Sequence, residues 1–154
     1  MNQDDDTMYL RQAIVASQQA LEAGNMPFGA SLTKDGKLLW VSQNQQRTSA
    51  DCTGHAEVVL VREARAALGP EATQGATVYA SGEPCAMCAG AMFWAGVRRV
   101  VYAATTPDIE AALGGSSLPM RCADALVGAQ PPVQVDGPML REEAVSVLRR
   151  FGAT

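Results

Sequence analysis

Apolar positions along this chain alternate between two spacings, one helical and one extended, and the alternation predicts helices and strands in turn. Over residues 7–23, Leu10, Ile14 and Leu21 fall near one helix face, behind an Asp-rich start that suits a positive helix end and ahead of Gly24. Runs at 28–33 and 38–42 flank Lys34-Asp35-Gly36-Lys37, where Asp-Gly supplies the positive φ of a tight turn, so this stretch predicts a β-hairpin. A helix over 55–68 is stopped by Gly69-Pro70, and residues 77–80 read as a short buried strand. Pro84 opens a further helix that runs to Ala95-Gly96, and the apolar run Val100-Val101-Tyr102-Ala103 predicts the next strand. Strand, helix, strand in that order implies a parallel pair. After Pro131-Pro132 the pattern gives a short strand at 133–135 and an amphipathic helix over 140–151. The sum is an α/β fold with a sheet between helices.

Composition narrows this picture. At 154 residues and 47% hydrophobic, the chain is expected to form one domain, 1–154, with its own core. A net charge of -4 gives no general attraction to a polyanion. No run of about 20 apolar residues occurs, and Met1-Asn2-Gln3-Asp4-Asp5-Asp6 is acidic where a secretory signal is basic and then apolar. The expectation is a cytoplasmic protein without a membrane partner. In that setting the 4 cysteines point to metal binding or catalysis before disulfides.

The chemistry concentrates in His55-Ala56-Glu57 and Pro84-Cys85-Ala86-Met87-Cys88. One imidazole and two thiolates are three zinc ligands, which leaves the fourth tetrahedral position for water and Glu57 free to move protons. Both segments fall where helices begin, and a helix N-terminus and a metal each lower a thiol's pKa. Cys85 and Cys88, at i and i+3, share a helix face. His55 and Glu57, at i and i+2, would diverge on a regular helix, so their convergence requires the metal to lie off the end of the first turn. Two plainer readings compete. Cys52-x-x-His55 with Cys85-x-x-Cys88 would make a closed structural Cys3His site in which Glu57 is a surface residue. A thioredoxin-like dithiol leaves His55 and Glu57 unexplained. Cys122 reads as an ordinary buried thiol, and His55 is the single histidine of the chain.

Pro27-Phe28-Gly29-Ala30, Asn44, Thr53-Gly54-His55-Ala56-Glu57 and the run from Glu83-Pro84-Cys85 to Ala91-Met92 carry a resemblance, in order and spacing, over residues 7–104. The chain resembles the cytidine deaminase superfamily, in the branch of guanine deaminases, cytosine deaminases and bacterial tRNA adenosine deaminases. The resemblance implies a three-layer α/β/α sandwich around a five-stranded mixed sheet, assembled as a homodimer. It implies Zn2+ on His55, Cys85 and Cys88, with Glu57 as the catalytic proton carrier and no organic cofactor. It also places Asn44 and Ala56 at the substrate, with Phe28 and Trp94 enclosing the base. The implied reaction is hydrolytic: zinc activates water, Glu57 takes its proton and hands protons to the ring nitrogen and the departing amine, and ammonia leaves behind a carbonyl.

Substrate choice rests on smaller features. Ala91-Met92-Phe93-Trp94-Ala95 and Val101-Tyr102-Ala103-Ala104 look like guanine deaminases. Yet Gly114-Gly115-Ser116-Ser117 stands where guanine deaminases of this type carry an acidic residue, with Asp108 and Glu110 as nearby substitutes. Cys52-Thr53-Gly54 likewise replaces the family's common Pro-Thr-Ala. The expected substrate is a free base or related heterocycle: a guanine-like purine, cytosine or an amino-triazine. A tRNA wobble adenosine deaminase is the alternative, favoured by Cys88-Ala89-Gly90-Ala91-Met92. Against it, Arg141, Arg149 and Arg150 are balanced by Glu142 and Glu143, and Arg98-Arg99 reads as a solvated strand edge, so no nucleic-acid partner is expected. A structural zinc protein without turnover is the second alternative, and Glu57 argues against it.

Overall fold

The hairpin and the strand–helix–strand unit combine into one sheet in the computed structural model, which describes residues 3–152. Met1 and Asn2 of the acidic start, and Ala153 and Thr154 of the tail, lie outside the described residues. In chain order the elements are α1 (Gln3–Glu22), β1 (Gly29–Lys34), β2 (Lys37–Gln43), α2 (Ala56–Leu68), β3 (Thr77–Gly82), α3 (Ala86–Trp94), β4 (Arg99–Ala104), α4 (Thr106–Leu113), α5 (Cys122–Ala125), β5 (Gln134–Asp136) and α6 (Arg141–Gly152). The five strands lie in the order β2-β1-β3-β4-β5. β1 is antiparallel to β2 and β3, whereas β3, β4 and β5 run parallel. The β1–β2 turn has positive φ at Asp35 and Gly36, the conformation that makes Asp-Gly a hairpin signal.

Side chains of successive strand residues point to opposite faces, and the two faces carry separate cores. Val78 and Val100 join Leu32, Leu60 and Met92 beneath α2 and α3. Tyr79 and Val101 join Leu10, Ile14 and Leu148 beneath α1 and α6. This is the three-layer sandwich with a mixed sheet that the resemblance implies. At Gly29 the backbone of α1 lies so close that an added Cβ would sit 2.2 Å from the Ala13 carbonyl oxygen, so a side chain there would push the helix off the sheet. Among the described residues no helix is long and apolar enough to cross a membrane.

Two helices lie outside the sequence expectation. α4 starts at a capping box, in which the Thr105 hydroxyl accepts from the Asp108 amide and the Asp108 carboxylate accepts from the Thr105 amide. α5 is a single turn. The Arg98-Arg99 expectation is corrected as well. Arg99 donates from Nη1 and Nη2 to both Asp6 carboxylate oxygens, at 2.8 and 2.9 Å, and from Nε to Asp136 at 2.9 Å. The Tyr79 hydroxyl donates to Asp6 at 2.7 Å. Arg99 is therefore the hub of an ion network tying α1 to β3, β4 and β5, and not a solvated edge residue.

Asp6 is 4% exposed, and removing its charge leaves the half-buried Arg99 guanidinium with one carboxylate partner, Asp136, in place of two. The hydrogen bonds from Arg99 hold the Asp6 carboxyl below the usual carboxylate range. A carboxyl whose pKa is depressed by folding stabilises the fold above its unfolded pKa of about 4, and loses that contribution as pH falls through the lower folded value. Asp6→Asn is expected to cost about 2–3 kcal/mol at neutral pH by urea denaturation, with the gap to wild type closing below about pH 4. Equal stability of the two proteins at neutral pH would show that the network adds nothing net.

Candidate metal centre and its cavity

Two helix N-termini meet above the C-terminal edge of the parallel strands. His55 is the N-cap of α2 and Cys85 the N-cap of α3, both in extended conformation and neither using its side chain to cap its own helix. Cys88, in the first turn of α3, is fully buried. The His55 Nδ1 lies 3.7 Å from Cys85 Sγ and 3.5 Å from Cys88 Sγ, and the two sulfurs are 3.7 Å apart. A tetrahedral zinc with its ordinary bond lengths separates two sulfurs by about 3.8 Å and a sulfur from a nitrogen by about 3.6 Å. The triangle therefore has the dimensions of three corners of a zinc tetrahedron, and the donor set suits that ion. Because His55 precedes the first helical residue, it is free of the helical twist that would turn it away from Glu57.

Electrostatics follow from burial and from the shared protons of this cluster. Burial is the main reason that the Glu57 carboxyl is pushed up to about 7, against the pull of His55. The Cys85 thiol is brought down to about 4, first by its hydrogen bond with Cys88 and further by His55. Cys88 moves the opposite way, because it keeps the proton it shares with Cys85 and is deeply buried. His55 is raised, chiefly by its hydrogen bond with Cys85. A metal ion entering the triangle would take thiolates and a neutral imidazole nitrogen, and would displace these protons.

Among the described residues the ligand group comprises His55, Cys85 and Cys88, so three protein ligands leave one tetrahedral position open. That position opens toward a cavity of about 710 Å³. Cys52 lines this cavity and stands apart from the ligand group, so the closed Cys3His arrangement does not form. Cys122 is buried away from it, its thiol raised to about 12 by burial.

Of the residues expected at a substrate, Phe28 and Asn44 line the cavity with His55, Glu57 and Cys85. The Asn44 amide is engaged with Gln46, accepting from its backbone N–H at 2.9 Å and donating to its side-chain oxygen at 2.7 Å. Phe28 packs over Gly82, where an added Cβ would lie 2.8 Å from the ring. Ala56 and Trp94 are elsewhere: Ala56 is buried in the core under α2, and Trp94, at the end of α3, is 83% exposed and outside the cavity wall. The sequence expectation missed the α4 wall, formed by Thr106, Ile109, Glu110 and Leu113, and the contribution of Phe151 from α6. Thr105-x-x-Asp108 before an apolar residue was the available signal for α4. Of the two acidic substitutes, Glu110 lines the cavity, whereas Asp108 is committed to the helix cap and to Arg141.

Known proteins resemble this chain in sequence and in fold. A family model described as the cytidine and deoxycytidylate deaminase zinc-binding region matches residues 3–104. A probable cytosine deaminase of Schizosaccharomyces pombe is 34% identical over 92% of this chain and 89% of its own length. A guanine deaminase of Bacillus subtilis is 41% identical over 65% of each chain. A solved tRNA:A34 deaminase structure superposes with a TM-score of 0.77 at 31% identity, over 92% of this chain and 99% of that one.

Metal content separates the ligand assignments. Purified Cys88→Ser is expected to lose its zinc by elemental analysis, whereas Cys52→Ser and Glu57→Gln keep one ion per chain. Loss of zinc from Cys52→Ser would restore the four-ligand structural site.

Proposed function

Because the chain belongs to the cytidine and deoxycytidylate deaminase zinc-binding family, we propose that it is a zinc-dependent hydrolytic deaminase of a free nucleobase or related aminated heterocycle. The substrate class proposed is a guanine-like purine, cytosine or an amino-triazine. One observation carries this reading: a three-residue ligand triangle of zinc dimensions opens into a cavity beside the buried Glu57 carboxyl.

Zinc in this triangle supplies the Lewis acidity that makes water a nucleophile at neutral pH. Glu57, buried beside the triangle, is placed both to take a proton and to give one back. In the reaction, water adds to the ring carbon that bears the amine. Glu57 passes one proton to the neighbouring ring nitrogen and another to the amine, the C–N bond breaks, and ammonia leaves a carbonyl. Asn44 orients the ring by exchanging its hydrogen bonds with Gln46 for bonds to the substrate edge. Phe28 offers the flat ring an apolar surface.

Charge supports a small substrate over RNA. Arg141 is paired with Asp108 and Glu142, and Arg149 lies 4.0 Å from Glu142, so the last helix presents a largely neutralised face. The likeness to the tRNA:A34 deaminase favours the second reading, an adenosine deaminase acting on a tRNA anticodon. We also propose a homodimer. Trp94 is 83% exposed and stacks edge-to-face on the partly buried Phe93 with ring centroids 5.0 Å apart, and a second copy would remove that apolar surface from water.

Ammonia release by the zinc-loaded protein, measured across guanine, adenine, cytosine, their nucleosides, amino-triazines and an anticodon stem-loop, tests the reading. The expected result is release from one free base at a rate insensitive to salt, with Glu57→Gln slower by about 10²–10⁴-fold. Release from the stem-loop alone, falling steeply with salt, would establish the RNA reading instead. For the assembly, Trp94→Asp is expected to shift the protein from dimer to monomer in sedimentation velocity.

A further inference from the structure

Glu83 immediately precedes the Pro84-Cys85 turn, and its carboxylate is a buried junction that the reaction chemistry does not use. Its side chain is 1% exposed. Oε1 accepts from the Thr106 backbone N–H at 2.8 Å and from Arg121 Nε at 2.8 Å. Oε2 accepts from Arg121 Nε at 2.9 Å and from the Cys122 backbone N–H at 3.0 Å. One carboxylate thus joins three pieces of chain: the turn that presents Cys85, the start of α4, and the start of α5. Between α4 and α5, residues 114–121 belong to no helix or strand, and Gly114 and Gly115 both have positive φ. Residues 114–118 form one side of the cavity. This stretch has little to hold it except its two ends, and the Glu83 carboxylate grips both helices that bound it.

We propose that Glu83, through Arg121, is a positioning residue that sets the 114–118 wall of the cavity and so governs how tightly the ring to be deaminated is held. The proposal rests on the deaminase reading for its kinetic consequence and on geometry for its structural one. Charge-assisted hydrogen bonds in a buried setting are stronger than neutral ones, so a wall anchored in this way is stiff without any core of its own. The wall lines the cavity and supplies none of the metal ligands. Loosening it therefore weakens ground state and transition state alike, which raises KM and leaves kcat in place.

Arg121 is the safer probe, because its side chain is 40% exposed and its removal opens no core cavity. In zinc-loaded Arg121→Gln, hydrogen exchange of the Thr106 and Cys122 backbone amides, both bonded to the Glu83 carboxylate, is expected to quicken about tenfold, while exchange in α3 and the zinc content stay as in wild type. With guanine and cytosine as probes, KM for the base that is turned over should rise about tenfold with kcat within about twofold, and Arg121→Lys should recover part of the difference. Glu83→Gln should show the same exchange pattern. Unchanged exchange at the Thr106 and Cys122 amides would overturn the proposal, as would lost zinc in Arg121→Gln or a fall in kcat at constant KM. Wild-type protein inert toward both bases would count against the free-base reading, and the exchange comparison alone would then decide whether Glu83 anchors the wall.

Discussion

The arrangement on which the rest depends is the meeting of two helix N-termini around a triangle of one nitrogen and two sulfurs. His55 and Cys85 can face each other because each occupies an N-cap, where the backbone is still extended and the side chain is not yet committed to a helical face. The parallel pairing of β3 with β4 puts α3 back over the sheet, so that its start lies above the strand ends where α2 also begins. Gly82 lets the chain turn beneath Phe28, and Glu83 pins the turn from below. Shift either helix start by one residue and the triangle loses its dimensions.

Such a site concentrates groups that do not favour burial: a carboxyl forced toward its neutral form, a thiol and thiolate sharing a proton, and an imidazole beside them. Stability has to come from elsewhere. The two apolar cores on either face of the sheet supply most of it, and the Asp6–Arg99–Asp136 network locks the opposite end of β4. The site end has one compensated pair of its own, Glu83–Arg121, beside the costly cluster.

Local signals explain why so much was legible from sequence. The Asp-Gly turn, the helix stops and the apolar run of β4 each act over a few residues, and the ligand motif names its own chemistry. What escaped detection is set by contacts distant along the chain. Arg99 looks like a solvated edge residue until Asp6 folds back onto it from 93 positions earlier. α5 is one turn held by Glu83, with no periodicity of its own. Trp94 sits two residues past Met92 on a helix of apolar residues, and only the packing of α3 shows which of them turns to the core and which to solvent. α4 is the exception, since its capping box was readable.

The boundary of the family match divides chemistry from selectivity. Residues 3–104 hold the ligand triangle, Glu57, Asn44 and Phe28, which are the parts any hydrolytic deamination at this site would use. The outer part of the cavity comes from beyond that boundary: α4 with Glu110, the 114–118 stretch, and Phe151 of the last helix. Arg47 lies 5.3 Å from the Phe151 ring centroid, linking the end of α6 to the loop before α2 across the mouth. Relatives named for cytosine, guanine and tRNA adenosine all resemble this chain across the segment that holds the ligand triangle and Glu57. Membership in the family carries the deaminase chemistry, and the cavity wall beyond residue 104 lies outside the segment that the family model matches.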